Sequence, residues 1–165
     1  MQTSDSFSIR TATVDDVPLI LSLIKELAEY EKLSHAVVAT EDDLRMSLFG
    51  ARPAAEVVIG SEGVEPVGYA LFFSTFSTFV GKPGIYLEDL YVRPSARRKG
   101  YGRALLLHLA QLAHKRGCGR LEWSVLDWNK PSINFYKSLG AVPLDDWTVF
   151  RLDSTALGAL VCEPR

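Results

Sequence analysis

Apolar and polar positions along the chain switch between a two-residue and a helical period, and each switch predicts an element. Phe7 to Thr11 alternates, as a short strand with one buried face does. Thr13 and Asp16 have the spacing of a capping box, with Asp in place of the usual Glu. From Val17 the residues Ile20, Leu23, Ile24, Leu27 and Ala28 recur at helical spacing, so a helix is expected to about Leu33, with Tyr30 and Glu31 near its end. Thr40 and Asp43 repeat the capping spacing before a second, short helix whose inward face is Leu44 and Leu48 and which Gly50 and Pro53 stop. Val57 to Ile59 and Val67 to Phe79 read as strands, separated by a turn rich in glycine and acids. Gly81 to Gly84 turns the chain into Ile85 to Val92, a strand of β-branched, aromatic and aliphatic residues that Pro94 ends.

Beyond that strand the helical period returns. Leu105, Leu106, Leu109, Leu112 and Ala113 form the buried side of a helix that closes on Lys115, Arg116 and Gly117. Arg120 to Leu126 reads as a strand. Asn129 is a candidate N-cap and Pro131 is tolerated in the first turn of a helix that Gly140 ends. Ala141 to Leu144 and Thr148 to Leu152 read as two closing strands, and Cys162 with the final Glu-Pro-Arg as a tail. This order predicts an α/β or α+β sheet protein, one domain over residues 1–165.

Composition narrows the class. At 165 residues and 47% hydrophobic the chain is long enough to bury a real core, and a net charge of −2 lacks the basic footprint of a general nucleic-acid binder. Two cysteines are too few for a disulfide framework or a metal site and suit a reducing compartment. The start, MQTSDSFSIR, has no basic and apolar leader, and no apolar run reaches about 18 residues. A cytoplasmic protein is expected, with no membrane, nucleic-acid or metal partner.

Candidate chemistry concentrates between Ile85 and Arg103. Glu88 and Asp89 sit inside an apolar strand, where an unpaired carboxylate is costly. Adjacent residues face opposite sides of a regular strand, so a bulge is required to bring both acids to one cleft. Arg97, Arg98, Lys99, Gly100 and Gly102 lie between this strand and the next helix N-terminus, the makings of an anion site. Glu31 is either a solvated surface acid or one placed to hold a cation. Asn129, Ser132 and Tyr136 fall three and four apart as one polar stripe. A nucleotide loop at Gly81-Lys82 fails, since no glycine-rich run precedes it and no Ser or Thr follows. His108 and His114 are six apart, which is not a shared-face ligand spacing.

The string R-x-x-G-x-G at Arg97 to Gly102 resembles the acyl-CoA-binding motif of the GNAT superfamily of N-acetyltransferases. IKELAEYEKLS, IYLEDLYV and VLDWNKPSINFYKSLGA extend the likeness to the diamine/polyamine acetyltransferase branch, especially its thialysine N-epsilon-acetyltransferase members. The resemblance implies a mixed, mostly antiparallel sheet flanked by helices, with central strands splayed apart around a pantetheine arm. It implies acetyl-CoA as cosubstrate, no metal, a small-molecule amine as acceptor and a homodimer. Leu90, Tyr91 and Val92 would bond the pantetheine. Arg97, Arg98, Lys99, Gly100, Tyr101, Gly102 and Arg103 would cradle the diphosphate, and Asn129, Ser132 and Tyr136 would also meet the cofactor. Glu88 would act as general base through a water and Tyr136 as the acid that protonates the thiolate. Tyr30, Glu31, Glu88 and Asp89 would hold the amine.

A lysine-like amine has a pKa near ~10.4, so only on the order of one molecule in a thousand is neutral at pH 7. The site must therefore attract a cation and then strip its proton. In polyamine-specific members an acid and a Trp typically precede the central strand, where this chain has Thr78 and Val80. LDWN looks like the thialysine members. Both features favour a compact ω-amino acid such as thialysine over spermidine or spermine, with a non-catalytic acetyl-CoA-binding module as the rival from another class. The Asp145-Asp146-Trp147 segment is shorter than the branch leads one to expect.

Overall fold

The computed structural model describes residues 6–162, so the readings of the start (Met1–Asp5) and of the final Glu163-Pro164-Arg165 lie outside the described residues. The chain divides into two compact units, one ending at Ser124 and the other beginning at Val125.

The first unit is a five-stranded sheet in the order β1-β2-β3-β4-β5, with β1 Phe7–Thr11, β2 Glu56–Glu62, β3 Glu65–Ser77, β4 Lys82–Val92 and β5 Leu121–Trp123. The first four strands are antiparallel and β5 runs parallel to β4, reached through α3, Tyr101–Lys115. Before the sheet's second strand come α1, Val17–Tyr30, and α2, Glu41–Phe49. Both expected capping boxes form, Thr13 with Asp16 ahead of a 3-10 turn that leads into α1, and Thr40 with Asp43 at α2. No described helix is long and apolar enough to cross a membrane.

The strand period sorts the sheet into two buried faces. Val57, Ile59, Tyr69 and Tyr91 cluster with Ile20 and Leu23 of α1 and Leu48 of α2. The alternate residues Val58, Ala70, Phe72, Ile85 and Leu87 are also buried, as are Leu105, Leu106 and Leu109 of α3. Burying a side chain the size of Leu23 or Leu105 contributes about 1.5–3 kcal/mol. Gly60 shows how tightly α3 is registered. A Cβ there would lie 2.6 Å from the Phe7 ring, and that ring stacks on Tyr101, the first residue of α3, at 4.1 Å and 6°.

The second unit holds α4, Lys130–Ser138, and α5, Ser154–Cys162. Here the sequence reading is corrected in two places. Residues 141–153 form no strand, and Cys162, expected as tail, is the last residue of a helix that the sequence reading did not foresee. Val149 and Phe150, apolar and β-favouring, are largely exposed, Phe150 at 91%. Without a neighbouring strand to take its N–H and C=O groups, such a stretch does not become a ladder. The strand expected over Arg120 to Leu126 is likewise shorter, three residues.

Candidate active site

Two regions of the first unit carry the chemistry. The first is the turn after β4. Pro94 to Ala96 makes a 3-10 turn, and Arg98 and Gly100 both adopt left-handed backbone, φ +65° and +85°. Such alternation turns successive N–H groups toward one side, and Gly100 serves as the N-cap of α3 with no side-chain cap. The first helical bond runs from the Ala104 N–H to the Gly100 carbonyl at 3.0 Å. The amides of Gly102 and Arg103 therefore come before the first helical acceptor and sit at the helix's positive pole. That is the donor set of an anion site.

The cations of the turn divide in use. The Arg97 Nε–H donates to the Val92 carbonyl at 2.9 Å, and its guanidinium lies 4.5 Å above the Tyr30 ring and 5.6 Å from that of Tyr91. It ties the end of α1 to the end of β4. Lys99 pairs with Glu62 at 2.7 Å, and the Tyr101 hydroxyl donates to the same carboxylate at 2.7 Å. Arg98 and Arg103 are exposed.

The second region begins where β4 loses a neighbour. Pairing with β5 covers Ile85, Tyr86 and Leu87 and stops there, so the edge from Glu88 to Val92 meets no β5 partner. On the other edge the register jumps. Leu71 faces Asp89 while Phe72 faces Leu87, which leaves Glu88 as the extra residue of a β-bulge. The bulge moves Asp89 off the face of Leu87 and onto that of Leu71, Tyr69 and Tyr91. Glu88 stays exposed and Asp89 becomes half-buried. Leu90 and Val92 are half-buried on the unpaired stretch.

Asp89 meets a buried hydroxyl. Tyr69 is 0% exposed, and its O–H donates to Asp89 Oδ2 at 2.9 Å. Burial pushes the Asp89 carboxyl above the usual range; the Tyr69 bond pulls it back and the charge of Glu88 raises it further. Glu31, the C-cap residue of α1, is raised by burial and then by the charge of Asp89. Tyr69 is driven well above an ordinary phenol, first by burial and next by Asp89. Arg93 holds α1 in place for this encounter. Its guanidinium donates to Glu26 at 2.9–3.2 Å, to Glu65 at 3.2 Å and to the Pro66 carbonyl at 2.8 Å. The result is a cluster of carboxylates that repel one another, an arrangement that an incoming cation relieves.

In the second unit, Asn129 is buried and caps α4, its Oδ1 accepting from the Ser132 N–H at 3.4 Å. Ser132 and Tyr136 follow on the same helix, and the Tyr136 carbonyl accepts from the N–H groups of Leu139 and Ala141 as the chain leaves through Gly140, φ +89°.

Glu31 and Asp89 thus lie within each other's field in the first unit, whereas Glu88 stays on the exposed edge and Tyr30 packs under the Arg97 guanidinium. Sequence reasoning missed Tyr69, which reads as a core aromatic; the available signal was that a buried phenol needs an acceptor and an acidic strand follows. It also missed Arg93 as a clamp.

Comparison with known proteins gives one consistent answer. Residues 21–141 match the family described as the acetyltransferase (GNAT) family. A thialysine N-epsilon-acetyltransferase of Caenorhabditis elegans is 41% identical, over 96% of this chain and 99% of that protein. An L-ornithine N5-acetyltransferase of Arabidopsis thaliana is 34% identical, over 92% and 86%. Among solved structures, an integron cassette protein from the mobile metagenome of V. cholerae superposes with a TM-score of 0.81 at 27% identity, covering 96% of this chain and 99% of its own.

Proposed function

This chain belongs to the GNAT acetyltransferase family and is an N-acetyltransferase, and on that premise we propose that it transfers acetyl from acetyl-CoA to the side-chain amine of a compact ω-amino acid such as thialysine or ornithine. The observation that carries the substrate class is the Glu31–Asp89 pair, its Asp89 carboxylate held by Tyr69, a short acidic patch at the point where β4 parts from β5. A single ammonium group satisfies it. A long polycation asks for carboxylates spread over its length.

In this reading the left-handed turn and the N-terminal amides of α3 hold the cosubstrate diphosphate, and the free edge of Leu90, Tyr91 and Val92 bonds its pantetheine amides. Arg98 and Arg103 add charge, while Arg97 and Lys99 shape the turn from behind. Asp89 and Glu31 draw in the ammonium, with Tyr30 at the end of α1. Bringing such an amine to its neutral form at pH 7 takes about 4 kcal/mol, from a pKa near ~10.4 at ~1.36 kcal/mol per unit. Glu88 removes the proton through a water. The amine nitrogen then bonds the thioester carbonyl carbon directly in a ternary complex, the C–S bond breaks, Tyr136 gives its phenolic proton to the departing thiolate, and the proton that the nitrogen sheds on becoming an amide passes through water to restore the phenol. Asn129 and Ser132 contact the cofactor beside it. By the same resemblance the working form is a homodimer in the reducing cytoplasm.

The test is thiol release from acetyl-CoA with a panel of thialysine, ornithine, spermidine and a lysine peptide. Highest kcat/KM on the ω-amino acids is expected. Faster turnover of spermidine overturns the substrate class, and no turnover of any amine, with CoA still bound, leaves the binding-module alternative.

A further inference from the structure

The Tyr69 hydroxyl donates to Asp89 Oδ2 at 2.9 Å across the bulge, a bond with no part of its own in the chemistry above. Tyr69 lies opposite Tyr91, and Leu71 lies opposite Asp89, so the Tyr69–Asp89 bond is a diagonal contact on one face of the sheet. In an unbulged strand Asp89 would share the face of Leu87, on the opposite side from Tyr69. The insertion at Glu88 and the phenol at position 69 therefore act together: one turns the carboxylate to this face and the other holds it there.

The choice of donor matters. Had a lysine or arginine held Asp89, its charge would cancel the field that attracts an ammonium group and would compete for the same oxygen. A phenol orients the carboxylate through one neutral O–H bond and leaves the negative charge in place. The groups that shift the Asp89 carboxyl are Tyr69 from β3 and Glu88 from β4, and Asp89 in turn raises Glu31 at the end of α1; the cations Arg97, 5.6 Å from the Tyr91 ring, and Arg93 act on the neighbouring Tyr91. Full burial of the Tyr69 ring fixes the hydroxyl, since a ring without free space has no second place to point it.

Building on the proposed amine acetylation, we propose that Tyr69 is a positioning residue for the substrate amine: its hydroxyl fixes Asp89 Oδ2 and presents the other carboxylate oxygen, still anionic, to the ammonium group. Removing the hydroxyl loosens the anchor and lets Asp89 take up its proton at higher pH. Substrate capture suffers, while the acyl-transfer step and cosubstrate binding do not.

Tyr69→Phe keeps the ring and deletes the hydroxyl. Steady-state assays with thialysine are expected to show about a tenfold rise in the amine KM, as for a hydrogen bond to a charged group. The kcat and the acetyl-CoA KM should stay within about twofold, and the acid limb of kcat/KM should move to higher pH. Fluorotyrosine at position 69, a stronger donor of nearly the same size, should move that limb the other way. An unchanged amine KM and pH profile overturns the proposal, as does an equal loss toward both substrates. A readout independent of turnover is the 13C titration of the Asp89 carboxyl, identified by its loss in Asp89→Asn. Its midpoint should lie higher in Tyr69→Phe than in the native protein, and coincident titrations overturn the assignment even if no tested amine is a substrate. Absence of turnover in the native protein, with the midpoint still shifted, instead counts against the amine acetylation alone.

Discussion

The turn from Arg97 to Arg103 and the cleft around Asp89 are both anchored on β4, yet they are built in opposite ways. The turn is contiguous and, in the proposed reading, would work through backbone, with two left-handed residues ahead of a helix start. The acidic cluster of Glu31, Tyr69, Glu88 and Asp89 comes from three elements and, in the same reading, would work through side chains. A backbone site tolerates side-chain exchange and fails when φ changes; a side-chain site fails on the loss of a few atoms. Substitutions in one should therefore leave the ligand of the other alone.

Tyr136→Phe sets the upper end of the scale, because in the proposed chemistry it removes the proton donor and keeps the ring against the cofactor. The kcat is expected to fall about 10²–10³-fold, with CoA dissociation measured by calorimetry within about threefold of native. A weaker CoA complex at unchanged kcat would move Tyr136 from catalysis to the cofactor side of the comparison.

Asp89→Asn tests the cleft directly. The amide keeps the size and loses the charge, so the amine KM should rise about 10- to 100-fold, the range for a charged hydrogen bond. The acetyl-CoA KM should not move. Gly100→Val is the matching test of the turn. No atom lies within 4 Å of a Cβ at Gly100, so any effect is conformational, from φ +85°. A left-handed branched residue costs about 1–3 kcal/mol. Relaxation of that strain should weaken CoA binding about tenfold and spare the amine KM; a CoA affinity that holds would mean that the turn does not bind through its backbone.

The same contrast governs what was legible in the sequence. The turn was readable because its residues are consecutive and their types, cations and glycines after a strand, have one main use. The bulge was foreseeable too, since the pleat cannot bring Glu88 and Asp89 to one cleft without it, and the register jump falls at Glu88. Both capping boxes were local and were found. Tyr69 was not, because its acceptor lies 20 residues away on another strand. Arg97 read as one more phosphate cation, but its guanidinium sits over Tyr30, which only the packing of α1 on β4 brings near. The stretch 148–152 has the β-branched and aromatic residues of a strand, and no neighbour pairs with it. Each miss turns on a partner remote in sequence.

Glu31→Gln gives the smallest effect and sharpens the comparison most, because it should act on function and stability with opposite signs. Glu31 is held above its ordinary value, mainly by burial and then by Asp89. In the pH window from the ordinary carboxylate value up to the raised one, the native protein binds more protons than the unfolded chain, so stability falls as pH rises through it. Above that window the ionised Glu31 is a standing burden on the fold. Gln lifts it, and the free protein should melt on the order of 1 °C higher at pH 7, with little gain at pH 4, where Glu31 is already protonated. The amine KM should rise only a few-fold, since Asp89 remains. A variant that is less stable at pH 7, or whose amine KM is native, would mean that Glu31 is a solvated surface acid and that Asp89 anchors the ammonium alone.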